Sequence, residues 1–184
     1  MSEVAKALLV DDRRENLVAL EALLQGMPVQ AVAVESGEAA LKQLLLDDFA
    51  VILLDAQMPD MDGFETASHI KRRERTRHIP IIFLTAADRD AQLAVRGYAV
   101  GAVDYLTKPF DPWVLRAKVA VFVDLWVKTR QLAAQSVLVR ERDLQVRQLT
   151  DVIDEATVLL RAAGQDDLDR ALELLEQARW GTGF

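Results

Sequence analysis

Phe49-Ala50-Val51-Ile52-Leu53-Leu54-Asp55 is the stretch from which the fold can be read. Six apolar residues in a row end abruptly on a carboxylate. A run this short and this apolar reads as a strand buried on both faces, the form strands take in a parallel sheet. Three other segments have the same shape. Ala7-Leu8-Leu9-Val10 runs into Asp11-Asp12, Ile79-Pro80-Ile81-Ile82-Phe83-Leu84 into Thr85, and Ala102-Val103-Asp104-Tyr105-Leu106 into Thr107-Lys108-Pro109. In open parallel sheets ligands bind beyond the carboxyl ends of the strands. Three carboxylates, a hydroxyl and a lysine are therefore expected on one rim. That set suits one divalent cation and one phosphoryl group, with Asp55 best placed to accept the latter.

Helical patterns fill the intervals between these runs. Leu17, Leu20, Leu23 and Leu24 fall near three-four spacing and predict a helix closing at Gly26. Val29 to Val34 reads as a further strand, and Ser36 offers an N-cap for a helix through Ala40, Leu41, Leu44 and Leu45. The loop Met58-Pro59-Asp60-Met61-Asp62-Gly63 is rich in turn formers, with Asp60 and Asp62 read as turn residues. Helices are expected from about Phe64 to Arg73 and from about Arg89 to Val100, and the basic run Lys71 to Arg75 reads as a solvated helix end. Strand and helix alternate throughout, which predicts an α/β fold with a five-stranded, doubly wound parallel sheet.

The last third has a different character. Asp111 suits an N-cap and Pro112 the first helical position, and neither proline nor glycine follows until Gly164. Leu125, Leu132, Val139, Val146, Ile153 and Leu160 recur every seven residues, the mark of a coiled-coil seam. The positions three further on are polar early (Lys128, Gln135, Arg142) and apolar later (Leu149, Ala156). After Gly164 a short amphipathic helix is expected through Leu168, Leu172, Leu175 and Ala178. The expected organisation is one α/β domain over 1–126 and a helical extension over 127–184. The extension can pair with a second copy as a coiled coil, fold back on its own short helix, or do both.

Composition narrows the function classes. Lys plus Arg number 22 against 29 Asp plus Glu, a net charge of -7. From Arg130 onward seven Arg face ten Asp plus Glu. A nucleic-acid reader needs a basic surface, so no direct nucleic-acid binding is expected. Cysteine is absent, which removes disulfides, thiol catalysis and thiolate metal sites. The N-terminus Met1-Ser2-Glu3-Val4-Ala5-Lys6 has no signal-peptide pattern, and no apolar run reaches the ~20 residues of a membrane span. A cytoplasmic protein without membrane contact is expected. His69 and His78 have no evident partner and read as surface or loop residues rather than phosphoryl carriers.

The chemistry of the strand ends follows from charge. A carboxylate attacking phosphorus brings two anions together, so the developing charge must be neutralised. Asp11 and Asp12 with Asp55 can hold Mg²⁺, a hard cation that is bound through few carboxylates and keeps waters. Thr85 and Lys108 are available to two phosphoryl oxygens, and Pro109 after Lys108 suggests a cis peptide.

Taken together, Leu9-Val10-Asp11-Asp12, Leu53-Leu54-Asp55 with Met58-Pro59-Asp60-Met61-Asp62-Gly63, Leu84-Thr85-Ala86 and Asp104-Tyr105-Leu106-Thr107-Lys108-Pro109-Phe110 resemble the receiver domain of two-component response regulators. The resemblance covers about Lys6 to Trp126 and rests on the combination, since each segment alone is weak. It implies a flavodoxin-like sheet of order 2-1-3-4-5 and phosphorylation of Asp55 by a partner histidine kinase or histidine phosphotransfer protein. It implies that Mg²⁺ is held by Asp12, Asp55 and the backbone carbonyl of Gln57, with Asp11 acting through water. It also implies that Thr85 and Tyr105 form the switch pair, and that the face of the 89–100 helix, the Tyr105 strand and the following helix is remodelled. Gln57 and Ala87, two residues past Asp55 and Thr85, supply no acid or base, which implies slow self-dephosphorylation.

Two functions are carried forward. One is a phosphorylation-activated response regulator, a signalling protein rather than an enzyme, that acts through protein contacts of a homodimeric extension. The other is an intermediate receiver in a phosphorelay that passes the group to a histidine phosphotransfer protein. An Asp-nucleophile phosphatase of the haloacid-dehalogenase type ranks last, because it needs a second aspartate where Gln57 stands.

Overall fold

The computed structural model describes residues 4–86 and 104–162, with residues 169, 170, 172–174 and 176. The Asp55 stretch forms strand β3, Val51–Asp55, every residue of which is buried. Around it lie β1 (Lys6–Val10), β2 (Gln30–Val34), β4 (Ile81–Ala86) and β5 (Asp104–Lys108). All neighbours pair in parallel, in the order β2-β1-β3-β4-β5. Helices α1 (Arg14–Leu24), α2 (Gly37–Leu46), α3 (Gly63–Arg72) and the long α4 (Pro112–Ala162) complete the described elements. This is the flavodoxin-like doubly wound sheet. The helix expected over 89–100, and Ala87, lie outside the described residues. Helical residues recur at 169–170, 172–174 and 176, where the short terminal helix is expected.

Strand side chains alternate between faces with period two, so the central strands feed two cores. Ala7, Leu9, Val51, Leu53, Ile82 and Leu84 pack against Leu17, Leu20 and Leu24 of α1 and Leu115, Val119 and Val123 of α4. Leu8, Val10, Ile52, Leu54, Ile81 and Phe83 pack against Ala40 and Leu44 of α2 and Phe64, Ala67 and Ile70 of α3. The Phe64 and Phe83 rings meet with centroids 4.6 Å apart. Each fully buried Leu or Ile contributes roughly 1.5–3 kcal/mol, so the central strands are held by side chains on both faces. The edge strands β2 and β5 are only partly covered.

Helix ends follow local chemistry. The Ser36 hydroxyl accepts the Ala39 N–H at 3.1 Å, as an N-cap should. Asp62, read as a turn residue, is the N-cap of α3: its carboxylate accepts the Glu65 N–H at 2.7 Å. Helix α1 ends at Leu24, two residues before Gly26, which takes up a φ of 76° in the turn to β2. No basic residue lies in the last turn of α1. Arg116 of α4 donates instead to the carbonyl oxygens of Leu23 and Gln25. The basic run is not merely solvated either. Lys71 is half-buried and donates to the carbonyls of Arg77 and Ile79, at 3.0 and 2.7 Å, on the approach to β4. Burial holds its amine below the usual lysine range.

The chain divides into two compact units between Thr129 and Arg130. In the second unit Leu132, Val139, Val146 and Ile153 are all more than half exposed, whereas Ala156 is buried and Leu149 and Val152 are half-buried. The heptad stripe is thus exposed, while the positions three further on along the same seam, Leu149 and Ala156, are covered. Among the described residues no helix is long and apolar enough to cross a membrane.

Candidate functional site

The strand order reverses between β1 and β3, because the chain leaves β1 for β2 on one side and returns to β3 on the other. A crevice opens at such a point beyond the carboxyl ends of the strands. Asp11 and Asp12 follow β1, Asp55 is the last residue of β3, Thr85 lies near the end of β4 and Lys108 ends β5. Asp55 stands beside Leu84, and Thr85 beside Thr107, so the strand ends are level across the sheet.

Asp11, Asp12 and Asp55 each place a carboxylate oxygen within 4.8 Å of the others. Lys108 reaches between two of them, its Nζ 2.8 Å from Asp11 Oδ2 and 3.0 Å from Asp55 Oδ2. The Lys108–Pro109 bond is cis, as the sequence suggested. Asp55 Oδ1 accepts the Gln57 N–H at 3.2 Å. Asp11 is fully buried and accepts the Arg13 N–H at 3.0 Å and the Asn16 carboxamide at 2.8 and 3.0 Å. Asp12 is exposed.

These surroundings separate the two buried acids. Burial pushes the Asp55 carboxyl above its usual range, only partly offset by the hydrogen bond and charge of Lys108 and the Gln57 N–H, and Asp11's charge raises it further. Burial also acts to raise Asp11, but Lys108, the Arg13 N–H and Asn16 together bring it below the usual range. Burial lowers Lys108, and its two carboxylate partners more than reverse that, leaving the amine above its usual value. Among the described residues, one lysine facing three carboxylates leaves an excess of negative charge. An all-oxygen donor set, two of its acids buried and one open to solvent, fits a hard divalent cation.

Thr85 is buried and its hydroxyl donates to the Ala86 carbonyl at 3.1 Å. Tyr105 is 39% exposed on the edge strand. Asp104 beside it pairs with Lys118 of α4. His69 lies on α3 near Glu65 and His78 is exposed in the turn before β4, as surface and loop residues. An open cleft of about 260 Å³ flanks the acids, lined by Asp11, Asn16, Leu20, Leu23, Lys108 and Phe110.

Two residues that shape the site carry no signal of their own in the sequence. Asn16 reads as ordinary polar surface in the first turn of a helix. Gly63 reads as the end of a turn, yet a Cβ there would lie 2.1 Å from the Asp55 carbonyl oxygen and 2.9 Å from Ala56 Cα. Its N–H also donates to the Ala56 carbonyl at 3.2 Å. Gly63→Ala is therefore expected to force the loop off β3 and cost roughly 1–3 kcal/mol, as overpacking does. Chemical denaturation checks this, and an unchanged midpoint would mean that the loop yields freely.

Residues 7–120 match the model of the response regulator receiver domain family. The chain is similar to the response regulator PleD of Caulobacter vibrioides, with 39% identity over 115 residues, covering 62% of this chain and 25% of PleD. It is also similar to the sensor histidine kinase GacS of Pseudomonas protegens, with 33% identity over 171 residues, covering 91% of this chain and 18% of GacS. The chain thus spans a quarter or less of the length of these relatives. A solved receiver domain of a sensor histidine kinase from Pseudomonas aeruginosa PAO1, with a magnesium ion coordinated in its active-site cleft, matches at a TM-score of 0.59 and 28% identity, covering 66% of this chain and 99% of that one. The parallel sheet, the acids gathered at its strand ends and a family match over most of the first unit agree: the chain belongs to the response regulator receiver domain family of two-component signalling.

Proposed function

We propose that this chain is a phosphorylation-activated response regulator in which Asp55 accepts a phosphoryl group from a partner histidine kinase or histidine phosphotransfer protein. The observation that carries the reading is the convergence of Asp11, Asp12, Asp55 and Lys108 at one end of the sheet. An Asp55 carboxylate oxygen forms a bond to phosphorus as the bond from phosphorus to the donor's imidazole nitrogen breaks. The bonding pair stays with the imidazole. Lys108 pairs with the charge gathering on the phosphoryl oxygens, and the Thr85 hydroxyl turns from the Ala86 carbonyl to donate to one of them. Asp12, Asp55 and the Gln57 carbonyl would hold Mg²⁺ directly and Asp11 through water. When bound, the ion supplies the neutralisation that lets two anions approach. Movement of Thr85 leaves space behind it, into which the exposed Tyr105 ring turns.

The output we propose is a change in protein contacts made by a homodimeric extension, residues 127–184, rather than by DNA binding. The exposed heptad stripe and the acidic charge of the extension support this. A phosphorelay role is the second reading, favoured by the similarity to a sensor histidine kinase that continues over 171 residues. The extension has no histidine, both of the chain's lying at 69 and 78, so residues 127–184 do not themselves carry the group onward. Incubation with a small acyl phosphate and Mg²⁺ tests the acceptor: one hydroxylamine-labile phosphoryl group per chain is expected. Transfer from the labelled chain to a histidine phosphotransfer protein would select the relay, and no labelling at all would overturn both.

A further inference from the structure

Asp11 is the most constrained acid of the site, and Asn16 supplies much of the constraint. An ionised carboxylate offers about four acceptor positions. On Asp11 they are met by the Arg13 N–H on Oδ1 at 3.0 Å, Lys108 Nζ on Oδ2 at 2.8 Å, and Asn16 Nδ2 on Oδ1 and Oδ2 at 2.8 and 3.0 Å. The carboxamide must present its NH₂ side, because a carboxylate only accepts. Asn16 is the one of these partners that touches both oxygens.

That two-point contact has a specific consequence. The final torsion of an aspartate turns about a broad, soft minimum, so the rotamer alone does not set the plane of the carboxylate. Arg13 and Lys108 each hold a single oxygen. Lys108 also has a flexible four-carbon stem and divides its charge between Asp11 and Asp55. Among the described residues only the Asn16 amide, anchored in the first turn of α1, ties the two oxygens to one point on a rigid element. It does so without adding charge, so it orients the acid without competing with a cation for it.

We propose that Asn16 is a positioning residue for the divalent-cation site: its carboxamide sets the plane of Asp11, which holds Oδ2 toward the space shared with Asp12 and Asp55. The proposal rests on the reading of those acids as a Mg²⁺ site. Groups that hold a metal's ligands in place, without touching the metal, commonly change its affinity by about 10–100-fold when removed.

The test is Mg²⁺ binding by calorimetry on the full chain, without a phosphoryl donor. Asn16→Leu keeps the approximate volume and removes the donor, and about tenfold weaker binding is expected. Asn16→Ser, too short to reach both oxygens, is expected to weaken binding similarly and serves if the leucine variant does not fold. Asn16→Gln keeps the amide and should recover most of the loss. Folded Leu or Ser variants that bind within about twofold of the wild type would overturn the proposal. So would a Gln variant as weak as Leu, because the amide would then not be the acting group. Asp12→Asn separates the two levels. Loss of binding there with none at position 16 refutes Asn16 alone, whereas a wild-type chain that binds no Mg²⁺ refutes the cation site and Asn16 with it.

Discussion

Asp55→Asn is expected to abolish phosphoryl incorporation and, at neutral pH without metal, to raise the thermal midpoint. The first effect is chemical, since an amide oxygen is too weak a nucleophile to form the acyl phosphate. The second is electrostatic. Asp55 sits among two other carboxylates with one lysine between them, and burial pushes its carboxyl above the usual range. A group whose folded pKa is raised carries stability that is fully present below its unfolded pKa and is lost as pH rises through the folded value. At pH 7 the wild type therefore bears the cost of the ionised form, and the asparagine variant does not. A rise of about 2–4 °C, the shift about 1 kcal/mol gives in a protein of this size, is the expected scale. The gap should close as pH falls through the raised pKa toward the unfolded value near 3.8, where the wild type is itself protonated. Melts across pH 4 to 8 measure this, and labelling with an acyl phosphate measures the first effect. Retained labelling would place the acceptor elsewhere. A variant less stable than the wild type at pH 7 would mean that the Lys108 pair outweighs burial and repulsion.

Val139→Asp combined with Val146→Asp is expected to convert a dimer into monomers. Val139 and Val146 are 57% and 60% exposed, so neither substitution removes a packed core side chain among the described residues. In a parallel coiled coil the same two positions face their copies, and the double variant puts four carboxylates into one apolar seam. Desolvating such charges without partners costs far more than the valines contribute by burial. Sedimentation should show the wild type as a dimer and the variant as a monomer with unchanged helix content and an unchanged midpoint for the first unit. A variant that stays dimeric would move the interface to the receiver. A wild type that is monomeric before and after phosphorylation would remove the coiled coil from the output.

How much was legible beforehand depended on the range of the physics involved. Apolar runs capped by Asp11-Asp12, Asp55, Thr85 and Lys108 could be read directly, because each strand is short and its polar residue lies at or next to its end, and because β1, β3 and β4 are buried. Ser36 and Asp111 could be read as caps for the same reason: a cap involves only the next three residues. Asp62 was less clear, since the turn and the N-cap use the same residue types. Residues 72–75 of the basic run are exposed, as a solvated helix end should be, but the half-burial of Lys71 could not be read, because the carbonyls it meets, those of Arg77 and Ile79, come from a turn whose path is set by the sheet.

By itself the sequence determined the strand-helix alternation, the identity of the acids and the lysine, and a seven-residue apolar repeat in an acidic extension. All of these are local patterns of polarity. Tertiary structure alone decided how the charges are shared. It placed one lysine between Asp11 and Asp55, gripped both oxygens of Asp11 from Asn16, and brought Gly63 so close to Asp55 that no side chain fits. It also left the heptad stripe exposed while covering Ala156. Those outcomes depend on contacts between residues up to 97 positions apart, where packing and burial, rather than residue type, set the strength and direction of each interaction.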